Sequence, residues 1–97
     1  MNRLPKTTPI YRLLRQGADN ATPRRRLANL TGLRERELRR LIEKERRAGI
    51  PILSNDRDGY YLPANAGEVK RFLESMYRRA DSIRQTADAI RNAYTLE

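Results

Sequence analysis

Residues 27–62 read LANLTGLRERELRRLIEKERRAGIPILSNDRDGYYL, and a change of period inside this stretch decides the fold. Up to Gly49 the apolar residues recur at helical spacing: Leu27, Ala28 and Leu30 on a short segment, then Leu38, Leu41 and Ile42 on a longer one. Thr31-Gly32-Leu33 interrupts them. Gly32 supplies the dihedral freedom that a tight interhelix turn needs, and Leu33 is placed to tuck beneath it. The longer segment predicts a helix over about 34–48, ended by Gly49. After Gly49 the period drops to two. Ile50-Pro51-Ile52-Leu53-Ser54 and Tyr60-Tyr61-Leu62 carry the branched and aromatic residues of strands, and the five residues Asn55–Gly59 between them predict a β-hairpin. Pro51 has no N–H to donate, so its strand is expected to lie at a free edge. Alternation sends one ring of the Tyr60-Tyr61 pair inward and the other outward, with Ile52, Leu53 and Leu62 joining the core.

Upstream, Thr8-Pro9 has the form of a helix start, a hydroxyl cap followed by a proline at the first helical position. Ile10, Leu13 and Leu14 make an apolar stripe and Gly17 a stop, predicting a helix over about 9–16. The same signature at Thr22-Pro23 opens the second helix, and the last residues of the GADNA link are candidates for a very short strand. Residues 1–8 lack periodicity and are expected to form a flexible basic arm.

Downstream, Pro63 turns the chain and Asn65 with Glu68 makes a capping-box start for a helix over about 66–94. Its apolar residues, Val69, Leu73, Met76, Ala80, Ile83, Ala87, Ile90 and Tyr94, are spaced alternately four and three apart. A heptad sustained this far is the mark of a left-handed coiled coil. Folding back on its own domain would leave much of such a stripe exposed, because a helix this long spans about 40 Å. We therefore expect homodimerisation through these eight residues, with Phe72 docking on the preceding domain. The organisation expected is an arm (1–8), a compact domain (9–64) and a long helix (65–97). The fold class is mainly α with a small β-hairpin.

Composition removes many kinds of chemistry. The 97 residues contain neither cysteine nor histidine, so disulfides, thiolate chemistry, serine–histidine catalysis and the commonest zinc ligands are absent. No enzymatic activity, cofactor, metal site or small-molecule ligand is expected. No stretch reaches the roughly 20 apolar residues that cross a bilayer, and the N-terminus has no apolar signal core, so a cytoplasmic, nucleoid-associated protein is expected. The net charge of +9 is unevenly distributed. Residues 1–48 hold fourteen Lys/Arg against five Asp/Glu, whereas residues 49–97 hold seven of each. A chain with its whole cationic excess in one half suggests a polyanion-binding half and a non-binding half.

In order and content, residues 27–49 resemble the helix-turn-helix of bacterial and phage regulators, and residues 49–62 resemble the wing of that family. The resemblance is to winged helix-turn-helix proteins such as the DNA-binding domain of biotin repressors and small phage regulators. It covers residues 10–62 and rests on the LA-x-x-TGL turn followed by the GYYL wing. It implies a third helix presented to the major groove of DNA. Arg36, Arg40, Glu43 and Arg47 lie on the face opposite the apolar one, flanked by Glu37, Arg39 and Lys44. Arg34, Arg36, Arg39 and Arg40, with Lys44, are the candidates for the groove, since arginine can bind guanine bidentately. Arg24 and Arg25 suit phosphates, and Arg57 at the wing tip suits a phosphate or the minor groove. Against this, Glu35, Glu37, Glu43 and Glu45 offer i,i+4 partners that would neutralise the arginines and leave an ordinary solvated face. The chain departs from the family where serine or threonine is common and Arg34 stands, which leaves Thr31 as an alternative cap.

The expected function is thus sequence-specific binding of double-stranded DNA by a homodimer, as a prokaryotic or phage transcription regulator. Two other roles use the same residues: an architectural replication or recombination accessory factor, and a protein-interaction adaptor that binds no DNA. RNA is less suited, because the few aromatics are committed to packing.

Overall fold

The computed structural model describes residues 8–55 and 57–94. The basic-arm expectation for residues 1–8 therefore lies outside them, apart from Thr8. Two short 3-10 turns, Ile10–Leu13 and Ala18–Asn20, precede helix α1 (Arg24–Thr31) and helix α2 (Glu35–Arg47). Strands β1 (Leu53–Asn55) and β2 (Gly59–Tyr61) form an antiparallel hairpin, and helix α3 (Ala66–Tyr94) follows. The chain is thus mainly helical with a two-stranded hairpin and a long C-terminal helix, as its periodicities predict. No helix among the described residues is long and apolar enough to cross a membrane.

The core lies between α1, α2 and the segments flanking them. Ile10, Leu14, Leu27, Leu33, Leu38, Ile42 and Ile52 are buried together, and Tyr11, Leu13, Leu41, Ile50, Tyr60 and Leu62 pack around them. Gly32 turns the chain from α1 to α2 in the left-handed region, φ 73° and ψ 10°, where a side chain would be strained. Thr31 seals this turn. Its hydroxyl donates to the Leu27 carbonyl at 2.8 Å and accepts the Leu33 N–H at 3.2 Å, all out of reach of water. Thr31 therefore ends α1 and does not cap α2. The cap position is Arg34, whose own N–H is taken by the Glu37 carboxylate at 3.2 Å.

Several local expectations are corrected. The helix expected over 9–16 is a single 3-10 turn, and Leu14 is already extended. The backbone beyond it bonds to Leu62 instead of to itself: Leu62 N–H donates to Arg15 O at 2.8 Å and Gly17 N–H to Leu62 O at 2.7 Å. Its N–H groups at Ile10 and Tyr11 are met by the carboxylate of Glu45, at 2.8 and 2.9 Å, and Thr8-Pro9 provides no side-chain cap. The apolar residues of that segment are buried regardless, so hydrophobic spacing located the core correctly while mistaking the backbone. Thr22 likewise caps nothing. Its N–H and C=O pair with Tyr60 at 2.8 and 2.9 Å in an isolated bridge just beyond the GADNA link, within which Ala18–Asn20 form the second 3-10 turn in place of the expected strand.

The hairpin is also tighter than expected. Its register is Leu53↔Tyr61, Ser54↔Tyr60 and Asn55↔Gly59, so the strand expected from residue 50 begins at 53. Ile50 N–H closes the end of α2 on Glu45 O, and Ile52 N–H donates to Ile50 O at 2.8 Å. Pro51 thus sits inside a three-residue turn, not on a strand edge. Leu62 leaves the hairpin to bridge Gln16. Against expectation, neither ring of the tyrosine pair is turned out to solvent: half-buried Tyr60 packs against the core, and Tyr61, 6% exposed, lies beside the first turns of α3. Gly59 fits where no other residue does: a Cβ there would stand 2.1 Å from the Thr22 carbonyl oxygen, at φ +113°.

Where α3 begins, Asn65 Oδ1 accepts the Glu68 N–H at 3.0 Å, as the sequence predicts. The Glu68 carboxylate accepts the N–H of Ala64 at 2.8 Å and that of Ala18 at 2.9 Å, pinning the helix start to the second 3-10 turn. These two backbone donors hold its pKa below the ordinary carboxylate value. α3 then meets the rest of the fold chiefly at β1 and buries none of its residues. The molecule is accordingly elongated, 57 × 30 × 24 Å, with a radius of gyration of 16.7 Å against about 13 Å for a compact chain of this length.

Candidate nucleic-acid interface

α2 is held by its inner face and its C-terminal end, which leaves its outer face open. Leu38 and Ile42 bury the inner face, Glu45 ties it to the first 3-10 turn, and Arg46 anchors its last turn. The Arg46 Nε–H donates to the Ile52 carbonyl at 2.7 Å and another guanidinium nitrogen donates to Ser54 Oγ at 3.2 Å. The same group lies 5.1 Å from the ring centre of Phe72 on α3 and 5.9 Å from that of Tyr60 on β2. Burial pulls its pKa below the usual arginine value, partly opposed by Tyr60 and Glu43. Arg46 therefore joins α2, the hairpin and α3. Sequence reading placed Phe72 on this domain but did not identify the arginine beneath it. The available signal was its position on the flank of the apolar stripe of α2, away from Arg36 and Arg40.

The outer face carries Arg36, Arg39, Arg40 and Lys44, all exposed, with exposed Arg34 at the helix start. Arg36, Arg40 and Lys44 follow one another at single-turn intervals and so form a row along the helix. The glutamates that threatened to neutralise them are occupied elsewhere. Glu35 pairs with Arg24 at 3.1 Å, Glu37 takes the Arg34 N–H, Glu43 pairs with Arg47 at 3.5 Å, and Glu45 takes two backbone N–H groups. Only Glu43–Arg47 is the i,i+4 pair expected on a solvated face, and Arg47 is not among the groove candidates. Among the described residues, no carboxylate forms an ion pair with Arg36, Arg39, Arg40 or Lys44.

Beside the start of α2 lies a concavity of about 390 Å³, between the first turn of α1 and the hairpin tip. Arg24, Arg25 and Arg57 line it together with Glu35 and Asp58. Arg25 and Arg57 are exposed, whereas Arg24 is engaged by Glu35 and ties the first turns of the two helices. The hairpin tip is shaped by Asn55, whose Oδ1 accepts the N–H groups of Arg57 and Asp58 at 3.2 and 2.6 Å. Three sequence candidates thus share one groove, and the other five follow α2.

The dimerisation candidates all lie on α3. Leu73, Met76, Ile83, Ile90 and Tyr94 are exposed by 38–78%, a run of apolar surface along one face of α3. Val69 is half-buried, and Ala80 and Ala87 are exposed. No family model, curated protein or solved structure matches the chain, so geometry and chemistry alone carry its interpretation.

Proposed function

We propose that this chain is a winged helix-turn-helix protein that binds double-stranded DNA sequence-specifically as a homodimer, a transcription regulator of prokaryotic or phage type. α2 enters the major groove with Arg36, Arg39 and Arg40 toward the base edges, while Arg34 and Lys44 reach backbone or base at either end. Arg25 and Arg57 contact phosphates on either side of the groove they line, and Arg24 joins them while holding α2 in place. Arg57 also has the reach for a minor groove beside the hairpin.

The observation that carries this reading is the row of exposed cations on α2 with which no carboxylate among the described residues forms an ion pair, although four glutamates share the helix. A merely solvated helix gains by pairing its charges, by roughly 0.2–0.5 kcal/mol per i,i+4 pair. Here three of the four acids are used to build the fold instead. The apolar face of α3 joins two copies, which lets two modest interfaces act at once.

The test is fluorescence anisotropy of labelled duplex DNA titrated with the protein at increasing salt. A DNA-binding chain retains duplex at low ionic strength and loses affinity steeply as salt rises, because bound phosphates release counterions. Failure to bind any duplex in low-salt buffer overturns the reading in favour of a protein-interaction adaptor. Selection from random duplexes then yields the preferred site, and its failure to enrich any sequence leaves an architectural binder instead.

A further inference from the structure

The heptad face of α3 carries more than an instruction to pair; it also distinguishes between the two ways of pairing. Leu73, Ala80, Ala87 and Tyr94 alternate along it with Val69, Met76, Ile83 and Ile90. In a parallel dimer each residue meets its own copy, so layers of two alanines alternate with layers of two isoleucines or methionines. The helices cannot satisfy both separations, and voids are left at Ala80 and Ala87. In an antiparallel dimer the two sets face each other. Ala80 then meets Ile83 of the second copy, Ala87 meets Met76, Leu73 meets Ile90 and Tyr94 meets Val69. In the central layers a small residue is set against a large one, and the spacing is even.

The charges favour the same arrangement. One row beside the apolar face holds Lys70, Tyr77, Arg84 and Arg91, with Glu74, Asp81 and Asp88 in the next row outward. The other flanking row holds Phe72, Arg79, Thr86 and Ala93, and no acid lies beside it in Ser75, Ser82 and Ala89. Parallel helices bring these two unlike rows together, setting Arg79 against Arg84 at both edges with no carboxylate beyond the Asp81 that Arg84 already engages on its own helix. Antiparallel helices bring the cationic row against itself but within a turn of the partner's acidic row. Arg84 then reaches Glu74 and Asp81, Arg91 reaches Glu74, and Lys70 reaches Asp88. Space agrees as well. Phe72, Ser75 and Arg79 line the cleft toward the hairpin, and the partner half that passes them presents only Thr86, Ala89 and Ala93 on that side.

We propose that α3 pairs with α3 of a second copy as an antiparallel two-helix coiled coil centred between Ala80 and Ile83. This deepens the homodimer reading above and rests on it. The two folded units then stand at opposite ends of the pair, their roots at Val69 separated along the axis by about 38 Å. That is close to the roughly 34–36 Å between half-sites one turn apart on DNA.

The chain has no cysteine, so single thiols report the orientation directly. Ala87→Cys and Met76→Cys are made separately, mixed by refolding, and oxidised; sedimentation gives the oligomeric state of each. The expected result is a dimer in every case, with disulfide-linked species only in the mixture, since Ala87 and its own copy lie about 16 Å apart along the axis. Cross-linking of either variant with itself overturns the antiparallel arrangement while leaving the dimer intact. A dimer with no cross-link in the mixture overturns the register, and a monomer overturns pairing through α3 altogether. Loss of DNA binding with the cross-links unchanged would count against the DNA reading alone.

Discussion

α2 and α3 are both rich in arginine, yet they are built for opposite tasks. α2 turns its apolar residues into the core, with Leu38 and Ile42 at 0% and 1% exposure and Leu41 half-buried, and shows its charges. α3 mixes charges of both signs along its length and shows its apolar residues, Ile83 at 71% and Ile90 at 64%. A helix that has spent its apolar face on its own core can present only polar chemistry to a partner. A helix with that face unspent has apolar surface to offer a partner, and among the described residues the face beyond Met76 stays largely exposed. On the proposed function, this contrast separates the surface offered to a polyanion from the surface offered to a protein.

The largest effect expected from breaking the comparison is on folding. Leu38→Ala should lower stability by about 2–5 kcal/mol in thermal or denaturant unfolding, since it opens a cavity in a packed core. Ile83→Ala, an equally apolar truncation on α3, should leave unfolding of the isolated unit nearly unchanged and instead weaken self-association in sedimentation. If the two variants unfold alike, the division between a spent and an unspent apolar face is wrong.

A second, smaller effect concerns the hairpin root. Gly59→Ala forces a Cβ onto the Thr22 carbonyl at a backbone dihedral that L residues avoid, at a cost on the order of 1–3 kcal/mol. Hydrogen exchange should then show faster opening at Thr22 and Tyr60, whose mutual N–H···O bonds the clash displaces, with α2 protected much as before.

The anchoring of α3 is sensitive to pH through Glu68. Its backbone donors depress its pKa in the folded state, so its contribution is complete above the unfolded carboxylate value and lost as pH falls through the lower folded one. Stability of the native chain against unfolding should therefore fall on acidification in the carboxylate range, and Glu68→Gln should flatten that part of the profile. An identical acid profile in the variant would show that the helix start is held by other contacts.

Arg47→Ala is expected to do least, within about 0.5 kcal/mol, because its pair with Glu43 is solvent-exposed. It is also the natural control for the DNA surface, since it removes an arginine from the same helix without touching the unpaired row.

Much of this architecture could be read in the residues. The boundaries of α2 and α3, the hairpin, the turn at Gly32 and the stripe of α3 follow from local spacing and caps, which need no tertiary partner. The misreadings at Thr8-Pro9 and Thr22-Pro23 share one cause. Both carry a sound local capping signature, and in both the backbone is taken by a distant partner instead: Glu45 and Leu62 for the first, Tyr60 for the second. Pro51 was misplaced for the same reason, since the end of α2 governs its turn. Of the interface, the exposed cations were legible from the helical period, but which carboxylates would neutralise them was not. Glu35 and Glu45 find partners eleven and more than thirty residues away, which no i,i+4 rule anticipates.

The central claim is that the unpaired row on α2 meets DNA. Its most direct test is the salt dependence of duplex binding by the native chain and by the combined variant Arg36→Gln, Arg40→Gln, Lys44→Gln, checked for an unchanged unfolding midpoint. The slope of log affinity against log salt should become shallower by about 0.9 for each phosphate contact removed, and discrimination between duplex sequences should collapse. An unaltered slope and unaltered discrimination in the folded variant would contradict the claim.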